Sequence, residues 1–356
     1  MVSFGERELG DGHPCFITFE AGATHYGVDS AMDLIRLSAE AGADAIKFQI
    51  FDPDRLVADK TLPFTYEILG DKKTGQTRTI TEPLYDILCR RCLGPDQWKR
   101  IKEFSDSLGL AFFATVGFEE DIALLTALKC DSIKIASADI DHWPLIRMAA
   151  RTGMCIQLDT GNASIGEVEQ AVEICNLEGN HNIIIHNCPS GYPARLESIN
   201  LKMITTLKQM FPLYPIAYSD HTPGWDMDVA AVALGANLVE KTITLDRAIR
   251  STEHVFSLEP AEMKAFVQTI REIEIAMGRP RRVLDLEEKQ TRRNVRRSTF
   301  IKQEMKQGDR IGLEQVEFRR PGFGISPKQF ESLVGMRISR DVAPGHQLDF
   351  KDLVNQ

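Results

Sequence analysis

The chain lacks any apolar stretch long enough to span a bilayer, so the sequence predicts no membrane-spanning helix. It also lacks an excess of positively charged residues. Its formal net charge of -9 argues against nucleic acid or an anionic membrane as a partner. Residues 1–14 hold Glu6, Arg7, Glu8 and Asp11 and no apolar core segment, unlike a secretory signal peptide. We therefore expect a cytoplasmic protein.

A disulfide framework is missing as well. The seven cysteines are an odd number without regular spacing, which indicates reduced and mostly buried thiols. Cys89 and Cys92 have CxxC spacing inside a helical pattern, but no second pair is present to complete a tetrahedral zinc site. We therefore favour packing over metal or redox chemistry for this pair.

What the chain does contain is a repeated alternation of strands and helices. Eight short apolar segments are separated by amphipathic stretches, and this pattern predicts an α/β fold, a closed (β/α)₈ TIM barrel rather than an open doubly wound sheet. The predicted strands are 15–21, 45–50, 111–116, 132–137, 155–160, 183–188, 215–219 and 237–244. The predicted helices include 30–41, 95–108, 119–128, 143–151, 164–177, 198–209, 226–234 and 261–278.

Two stretches depart from this alternation. Residues 51–83 form a long connection rich in proline, glycine and polar residues, which predicts a loop covering the substrate or a plain surface insertion. Beyond the barrel, predicted as 1–280, the stretch 281–297 is basic and reads as a linker, either a solvated or interface segment or one that attracts anionic substrates. Residues 298–356 have short alternating strands and turns, which predict a small β-rich domain.

Polar side chains stand at the carboxyl end of every predicted barrel strand. The segment Tyr218-Ser219-Asp220-His221-Thr222 is the densest example, with a hydroxyl, a carboxylate and an imidazole at one strand exit. Catalytic groups of such barrels lie at these ends. A single polar residue there is as well explained by a rim ion pair, but a whole cluster of buried charge without a ligand is costly. The polar side chains at all eight strand ends together predict an enzyme.

The residue types indicate the chemistry of the ligand. Lys47 and Lys134 alternate with apolar neighbours and are expected to point into the barrel mouth. Two ammonium groups together with the hydroxyls of Thr115, Ser137 and Ser219 suit a phosphate or a carboxylate. Glu20, His221 and Glu240 offer oxygen and nitrogen ligands for a divalent cation.

Six motifs in order resemble the sialic acid synthase family, which includes N-acetylneuraminate, legionaminate and pseudaminate synthases and a branch named for spore-coat polysaccharide synthesis. The likeness extends to a C-terminal antifreeze-like (SAF, β-clip) domain. The motifs begin at Phe19-Glu20-Ala21-Gly22, Ile46-Lys47-Phe48-Gln49, Ile133-Lys134-Ile135-Ala136-Ser137, Cys188-x-x-x-Tyr192-Pro193, Tyr218-Ser219-Asp220-His221 and Arg319-Arg320-Pro321-Gly322.

The resemblance implies a metal-dependent condensation of phosphoenolpyruvate with an N-acetylated amino sugar, giving a nonulosonate and phosphate for surface polysaccharide. It implies Mn²⁺ or Mg²⁺ at His221, and a domain-swapped homodimer in which Arg320 reaches the sugar site of the other copy. The residues it places at phosphoenolpyruvate are Lys47, Thr115, Lys134, Ser137 and Ser219, and those it places at the sugar or the reacting centre are Glu20, Gln49, Asp139, Tyr192 and Glu253. Ser190 joins the predicted substrate-binding residues.

The chain departs from the family pattern at three places. The family has a second metal-binding histidine where this chain has Thr242, and a serine where it has Asp159. One hypothesis joins both changes: Asp159 helps to hold the cation that Thr242 cannot bind. The region of Arg250 to Glu253 also differs, which indicates an acceptor sugar other than N-acetylmannosamine.

Two other functions compete with the synthase. Lys134 as the site of a Schiff base with pyruvate would make the chain an aldolase or lyase. A degenerate barrel would instead serve as a carbohydrate-binding protein. The retained Lys47, Lys134, Ser219 and His221 argue against degeneration, because an unused site has no reason to keep costly polar groups.

Overall fold

A computed structural model describes residues 1–354. The chain folds into two compact units, Met1–Gly278 and a second that begins at Arg279. Residues 355–356, the last of the predicted C-terminal domain, lie outside the described part.

The first unit is built on a closed barrel of parallel strands. Its strands, in chain order, are β1 (Val2–Phe4), β2 (Arg7–Leu9), β3 (Phe16–Glu20), β4 (Ala45–Gln49), β5 (Pro63–Asp71), β6 (Gln76–Pro83), β7 (Ala111–Val116), β8 (Ser132–Ile135), β9 (Cys155–Asp159), β10 (Ile183–Asn187), β11 (Ile216–Asp220) and β12 (Leu238–Thr242). The barrel order is β3-β4-β7-β8-β9-β10-β11-β12, and β12 pairs back to β3. This confirms the predicted (β/α)₈ barrel.

Helices connect these strands and cover the outside of the barrel. They are α1 (Val28–Ala41), α2 (Pro53–Leu56), α3 (Leu84–Cys89), α4 (Pro95–Ser107), α5 (Glu119–Ala127), α6 (Trp143–Arg151), α7 (Ile165–Leu177), α8 (Leu196–Ile199), α9 (Lys202–Met210), α10 (Asp226–Ala233) and α11 (Pro260–Met277). The single helix predicted at 198–209 was wrong, because Asn200 adopts a left-handed conformation (φ 49°) and separates α8 from α9.

The strand pleat sorts each strand into two faces. Outward side chains such as Ile17, Ile46 and Ile133 form one large apolar core with the helices. Inward side chains at the amino-terminal ends, including Phe16 and Phe113, form a second apolar cluster with the β1–β2 hairpin. Phe4 of β1 packs on both rings, with centroids 4.7 and 5.3 Å away, and so closes the bottom of the barrel.

The long connection 51–83, predicted to be a loop covering the substrate or a plain surface insertion, contains regular secondary structure. It holds the short helix α2 and an antiparallel hairpin, β5–β6. Tyr66, Ile68 and Ile87 form a small core under this hairpin and α3, which holds the two together. Cys89 at the end of α3 and Cys92 after it are exposed, while the other five cysteines are buried, and all seven are free thiols.

The second unit is a small β-rich domain that begins with a helix. Its elements are α12 (Leu286–Val295), β13 (Ser298–Ile301), β14 (Val316–Arg319), α13 (Pro327–Glu331), β15 (Arg337–Ile338) and β16 (Leu353–Val354). Helix α12 lies in the stretch predicted as a linker. Ile301, Phe330 and Ile338 are among the residues of a separate apolar core. Across residues 1–354 of both units, no helix has the length and hydropathy needed to cross a membrane.

Candidate active site

A cavity of about 240 Å³ opens at the carboxyl ends of the barrel strands. Inward side chains of these strands form its floor, while the β5–β6 hairpin and the stretch before α11 form one side. The lining residues are Glu20, Lys47, Gln49, Phe64, Leu84, Arg91, Thr115, Ala136, Ser137, Asp159, Cys188, Tyr192, His221, Glu240, Thr252 and Glu253. The predicted clustering of strand-end residues is therefore present in the fold.

The floor of the cavity is a buried network of two lysines and three carboxylates. Lys134 Nζ donates to both oxygens of Glu240, at 2.8 and 2.7 Å, and lies 3.1 Å from Asp159 Oδ1. Lys47 Nζ pairs with Glu20 and lies 3.2 Å from Glu240 Oε1. Glu240 thus bridges the two ammonium groups, so that each lysine is neutralised until a ligand arrives.

A chain of hydrogen bonds fixes Lys134 from below. His186 Nε2 lies 2.8 Å from Gln157 Oε1, which is an acceptor, so this nitrogen carries the proton. His186 Nδ1 then accepts from Ser219 Oγ at 2.9 Å, and Ser219 Oγ in turn accepts from Lys134 at 3.1 Å. Burial lowers the pKa of His186 well below its usual value, which is consistent with this neutral tautomer. The lysine is therefore held in place by an uncharged, fully ordered relay.

Both lysines stay protonated in this surrounding. Burial alone would lower the pKa of Lys134, but Asp159 and Glu240 outweigh it and raise the pKa. The same holds for Lys47, whose pKa Glu20 and Glu240 raise well above its usual value. A Schiff base needs a neutral amine as nucleophile. The environment of Lys134 therefore opposes the aldolase alternative and suits the binding of anions.

Gly22 lets the chain pass close to the catalytic floor. A Cβ at this position would lie 2.6 Å from Glu20 Oε1 and would also collide with the backbone nitrogen of Gln49. The Gly22 nitrogen donates to the same Glu20 oxygen. The glycine therefore allows the backbone to hold the carboxylate that pairs with Lys47.

The structure separates the predicted site residues by position. Those that line the cavity are Glu20, Lys47, Gln49, Thr115, Ser137, Asp159, Tyr192, His221 and Glu253. Lys134 and Ser219 lie buried beneath it, and Thr242 is buried at the end of β12. Asp139 is half-buried in the turn after β8, and Ser190 is exposed and donates to the Gly161 carbonyl at 2.8 Å. Arg320 belongs to the second unit, directly after β14.

Sequence reasoning missed two buried residues of the site. His186 lies one step inside the end of β10, and Arg91 comes from the turn after α3, where no strand pattern points to it. Asp220 belongs to the strand-end segment singled out in the sequence, but its side chain and that of Lys241 on β12 face outward. Lys241 pairs with Asp220 and donates to the Thr222 carbonyl at 2.6 Å, behind the barrel wall. The pleat of the strands would have predicted this orientation.

The residues present fit a divalent cation in part. His221 Nδ1 lies 3.1 Å from the Pro189 carbonyl, so it carries the proton and leaves the Nε2 lone pair available to a metal. Burial lowers the pKa of His221 to about 4, so the ring is neutral at pH 7. Among residues 1–354 no three His, Cys, Asp or Glu side chains stand close enough to form a complete metal site. A cation at His221 would therefore need oxygen ligands from substrate or water.

A closed (β/α)₈ barrel whose mouth holds a buried lysine and carboxylate network is the site of an enzyme that acts on anionic substrates. The NeuB family model matches residues 34–282, and the SAF domain model matches residues 296–354. The chain belongs to the NeuB family, and the resemblance seen in the motifs is confirmed.

Relatives and solved structures agree with this assignment. The chain is 33% identical to N,N'-diacetyllegionaminic acid synthase of Legionella pneumophila, covering 97% of this chain and 96% of that protein. It is 30% identical to human N-acetylneuraminate-9-phosphate synthase, covering 93% and 90%. The crystal structure of N-acetylneuraminic acid synthetase from Leptospira borgpetersenii superposes with a TM-score of 0.70 at 30% identity, covering 82% of this chain and 94% of the other.

Proposed function

We propose that the chain is a nonulosonate synthase, a C–C bond-forming transferase that joins phosphoenolpyruvate to an N-acetylated amino sugar. C3 of phosphoenolpyruvate bonds to the aldehyde carbon of the sugar, water adds at C2, and phosphate leaves. The product is a 2-keto-3-deoxy acid with nine carbons, suited to surface polysaccharide. The observation that carries this proposal is the network of Lys47 and Lys134 with their carboxylates on the cavity floor.

The network supports the binding of phosphoenolpyruvate in particular. Both lysines are charged, buried and held in fixed positions, so they offer two ammonium donors to a small anion that takes the place of their carboxylate partners. Thr115 and Ser137 place hydroxyl groups on the same cavity wall. Fixed ammonium and hydroxyl groups hold the enol with its C3 facing the aldehyde, and the entropy of bringing the two substrates together is then spent at binding.

A divalent cation, Mn²⁺ or Mg²⁺, is part of the proposal. His221 would hold it through Nε2, with Asp159 as the second protein ligand in place of the histidine missing at position 242. When bound, the cation polarises the aldehyde oxygen of the sugar. The position of Asp159 on the cavity wall supports this assignment, although its carboxylate pairs with Lys134 in the free enzyme.

The assembly and location remain proposals too. We infer a domain-swapped homodimer in which Arg320 from a second copy of the chain reaches the sugar. Arg320 is exposed in the second unit, which is what such a role requires. A cytoplasmic location is proposed because phosphoenolpyruvate is made and used in the cytoplasm.

The test is phosphate release from phosphoenolpyruvate with N-acetylated hexosamines, in Mn²⁺ or in chelator. We expect release that needs both the sugar and the cation, and we expect Lys47→Met to abolish it. Lys102→Met is the matched control, because Lys102 is also buried and paired with a carboxylate, Asp106, but lies on α4 outside the barrel. Release without sugar, or equal activity of Lys47→Met and Lys102→Met, would contradict the proposal.

A further inference from the structure

Arg91 is a buried cation of the cavity that has no anionic partner within residues 1–354; its guanidinium carbon lies 5.8 Å from the centre of the Phe51 ring. Its side chain lines the cavity, and the residue is only 7% exposed. Within residues 1–354 its guanidinium makes no hydrogen bond or ion pair, and Nε and Nη1 are buried without any acceptor. Its neighbour Arg90 is the opposite case: it is exposed and makes a two-pronged contact with Glu82, at 2.9 and 2.6 Å.

A guanidinium without an anionic partner in this position is costly to the free protein. Buried charges are normally paired, and an uncompensated one is among the most destabilising features a fold can contain. The carboxylate that acts most strongly on Arg91 is Glu253, which lies beyond ion-pair distance and whose pKa is raised to about 7, first by burial and then by Glu20. Near pH 7 a large share of Glu253 is therefore protonated and cannot neutralise Arg91.

The charge of Arg91 is separate from that of the cavity floor. Lys47 and Lys134 face three carboxylates, so the floor carries no free positive charge when all five groups are ionised. Arg91 instead shares the cavity wall with Phe64 and Leu84 of the hairpin region and with Thr252. The unneutralised positive charge of the cavity thus lies on its hairpin side. A guanidinium with its donors free is suited to a planar or tetrahedral oxyanion, which it binds through two parallel hydrogen bonds.

We propose that Arg91 binds an acidic group, a phosphate or a carboxylate, carried by the acceptor sugar on the hairpin side of the cavity. This inference rests on the proposed synthase function and names the class of sugar that the site takes. The floor receives phosphoenolpyruvate, and Arg91 receives the charged end of the second substrate.

The test compares three sugars: N-acetylmannosamine, its 6-phosphate and its uronic acid. The variants are Arg91→Met, which removes the charge, Arg91→Lys, which keeps the charge without the fork, and the control Arg90→Met. We expect one acidic sugar to be preferred, and the one that is preferred identifies phosphate or carboxylate as the ligand. Arg91→Met should lower kcat/KM for that sugar about 10- to 100-fold, the loss of one charged contact. The KM for phosphoenolpyruvate and the activity with the neutral sugar should change less than about threefold.

A thermal melt provides a readout that does not depend on activity. Removal of an uncompensated buried charge should raise the melting temperature of the free Arg91→Met protein, and the acidic sugar should stabilise the wild type and Arg90→Met but not Arg91→Met. A lower melting temperature of free Arg91→Met, with stabilisation by the sugar retained, would show a structural role and overturn the inference. So would a rise in the KM for phosphoenolpyruvate alone, or a preference for the neutral sugar. If no sugar supports phosphate release but an acidic sugar still stabilises only the proteins that contain Arg91, the inference stands and the synthase proposal fails.

Discussion

Replacement of Glu240 by glutamine tests the charge network on which the site depends. Glu240 touches both ammonium groups, at 2.7 Å from Lys134 and 3.2 Å from Lys47, and all three side chains are nearly inaccessible to water. Burial would raise the pKa of Glu240, but the two lysines outweigh it and hold the pKa below its usual range, so the carboxylate is fully charged. The substitution keeps the shape of the side chain and removes only its charge.

The size of the expected destabilisation depends on the ion pairs that remain after the substitution. Breaking a buried ion pair destabilises a protein by about 3–5 kcal/mol. We expect the lower end, about 3 kcal/mol, because Lys134 keeps Asp159 at 3.1 Å and Lys47 keeps Glu20. For a unit of this size that corresponds to a melting temperature lower by about 6–12 °C. The exposed Glu40→Gln, whose partner Arg36 is 3.7 Å away, should change the melting temperature by less than about 2 °C.

The melting temperatures are measured by calorimetry of the full chain, and a double variant completes this test. The addition of Lys47→Met to Glu240→Gln should lower the stability further, because the buried Glu20 then loses the cation that it keeps in Glu240→Gln. Inorganic phosphate should raise the melting temperature of Glu240→Gln more than that of the wild type. A melting temperature within 2 °C of the wild type for Glu240→Gln would refute the view that Glu240 is a charged partner of both lysines.

Three further predictions address other parts of the barrel. His25 packs against Phe48 and Trp98, and neither of its ring nitrogens makes a hydrogen bond. Burial lowers the pKa of His25 from 6.5 to about 3. The unfolded chain therefore takes up a proton at this residue below pH 6.5, and the folded chain does not. The contribution of neutral His25 to the free energy of unfolding is fully present above pH 6.5 and falls by about 2 kcal/mol at pH 5. Between pH 7.5 and 5, His25→Phe should therefore lose about 2 kcal/mol less than the wild type in urea unfolding. Identical pH dependence of the two proteins would contradict the assignment. Gly22→Ala should destabilise the barrel by about 1–3 kcal/mol and abolish activity, whereas Gly166→Ala in α7, where a Cβ meets nothing within 4 Å, should leave both intact; equal effects would refute the close-approach argument. Thr242→His should raise Mn²⁺ affinity at least about tenfold in calorimetry and Asp159→Ala should lower it; unchanged affinity in Asp159→Ala would end the hypothesis that Asp159 holds the cation.

The barrel was predictable because each strand carried its own local signal. Short apolar segments ended in polar residues at regular intervals, and the observed strands overlap all eight predicted segments. The β5–β6 hairpin was missed although Phe64, Tyr66 and Ile68 alternate with polar residues, because β6 is almost entirely polar and the small core forms only when the hairpin packs with α3.

The site was predictable only where chemistry coincided with a strand end. Glu20, Lys47 and His221 stand at such ends and line the cavity. Arg91 reaches it from a turn between helices, and its contribution depends on a tertiary fold that the local pattern does not encode. The bridging role of Glu240 was equally hidden, because a distance between two strands far apart in sequence decides it. The predicted roles of the individual residues stay predictions until the variants are measured.

The β1–β2 hairpin, which closes the bottom of the barrel, bears on the order in which substrates bind and products leave. Phe4 with Phe16 and Phe113 leaves no passage at the amino-terminal end, so everything that enters the cavity leaves by the same mouth. A ligand bound to the lysines would lie deepest, and a ligand bound to Arg91, beside the β5–β6 hairpin, would lie above it. With the proposed binding positions, we expect phosphoenolpyruvate to arrive before the sugar, and phosphate formed on the floor to leave after the newly made acid. A single mouth with one ligand above the other predicts sequential, ordered kinetics.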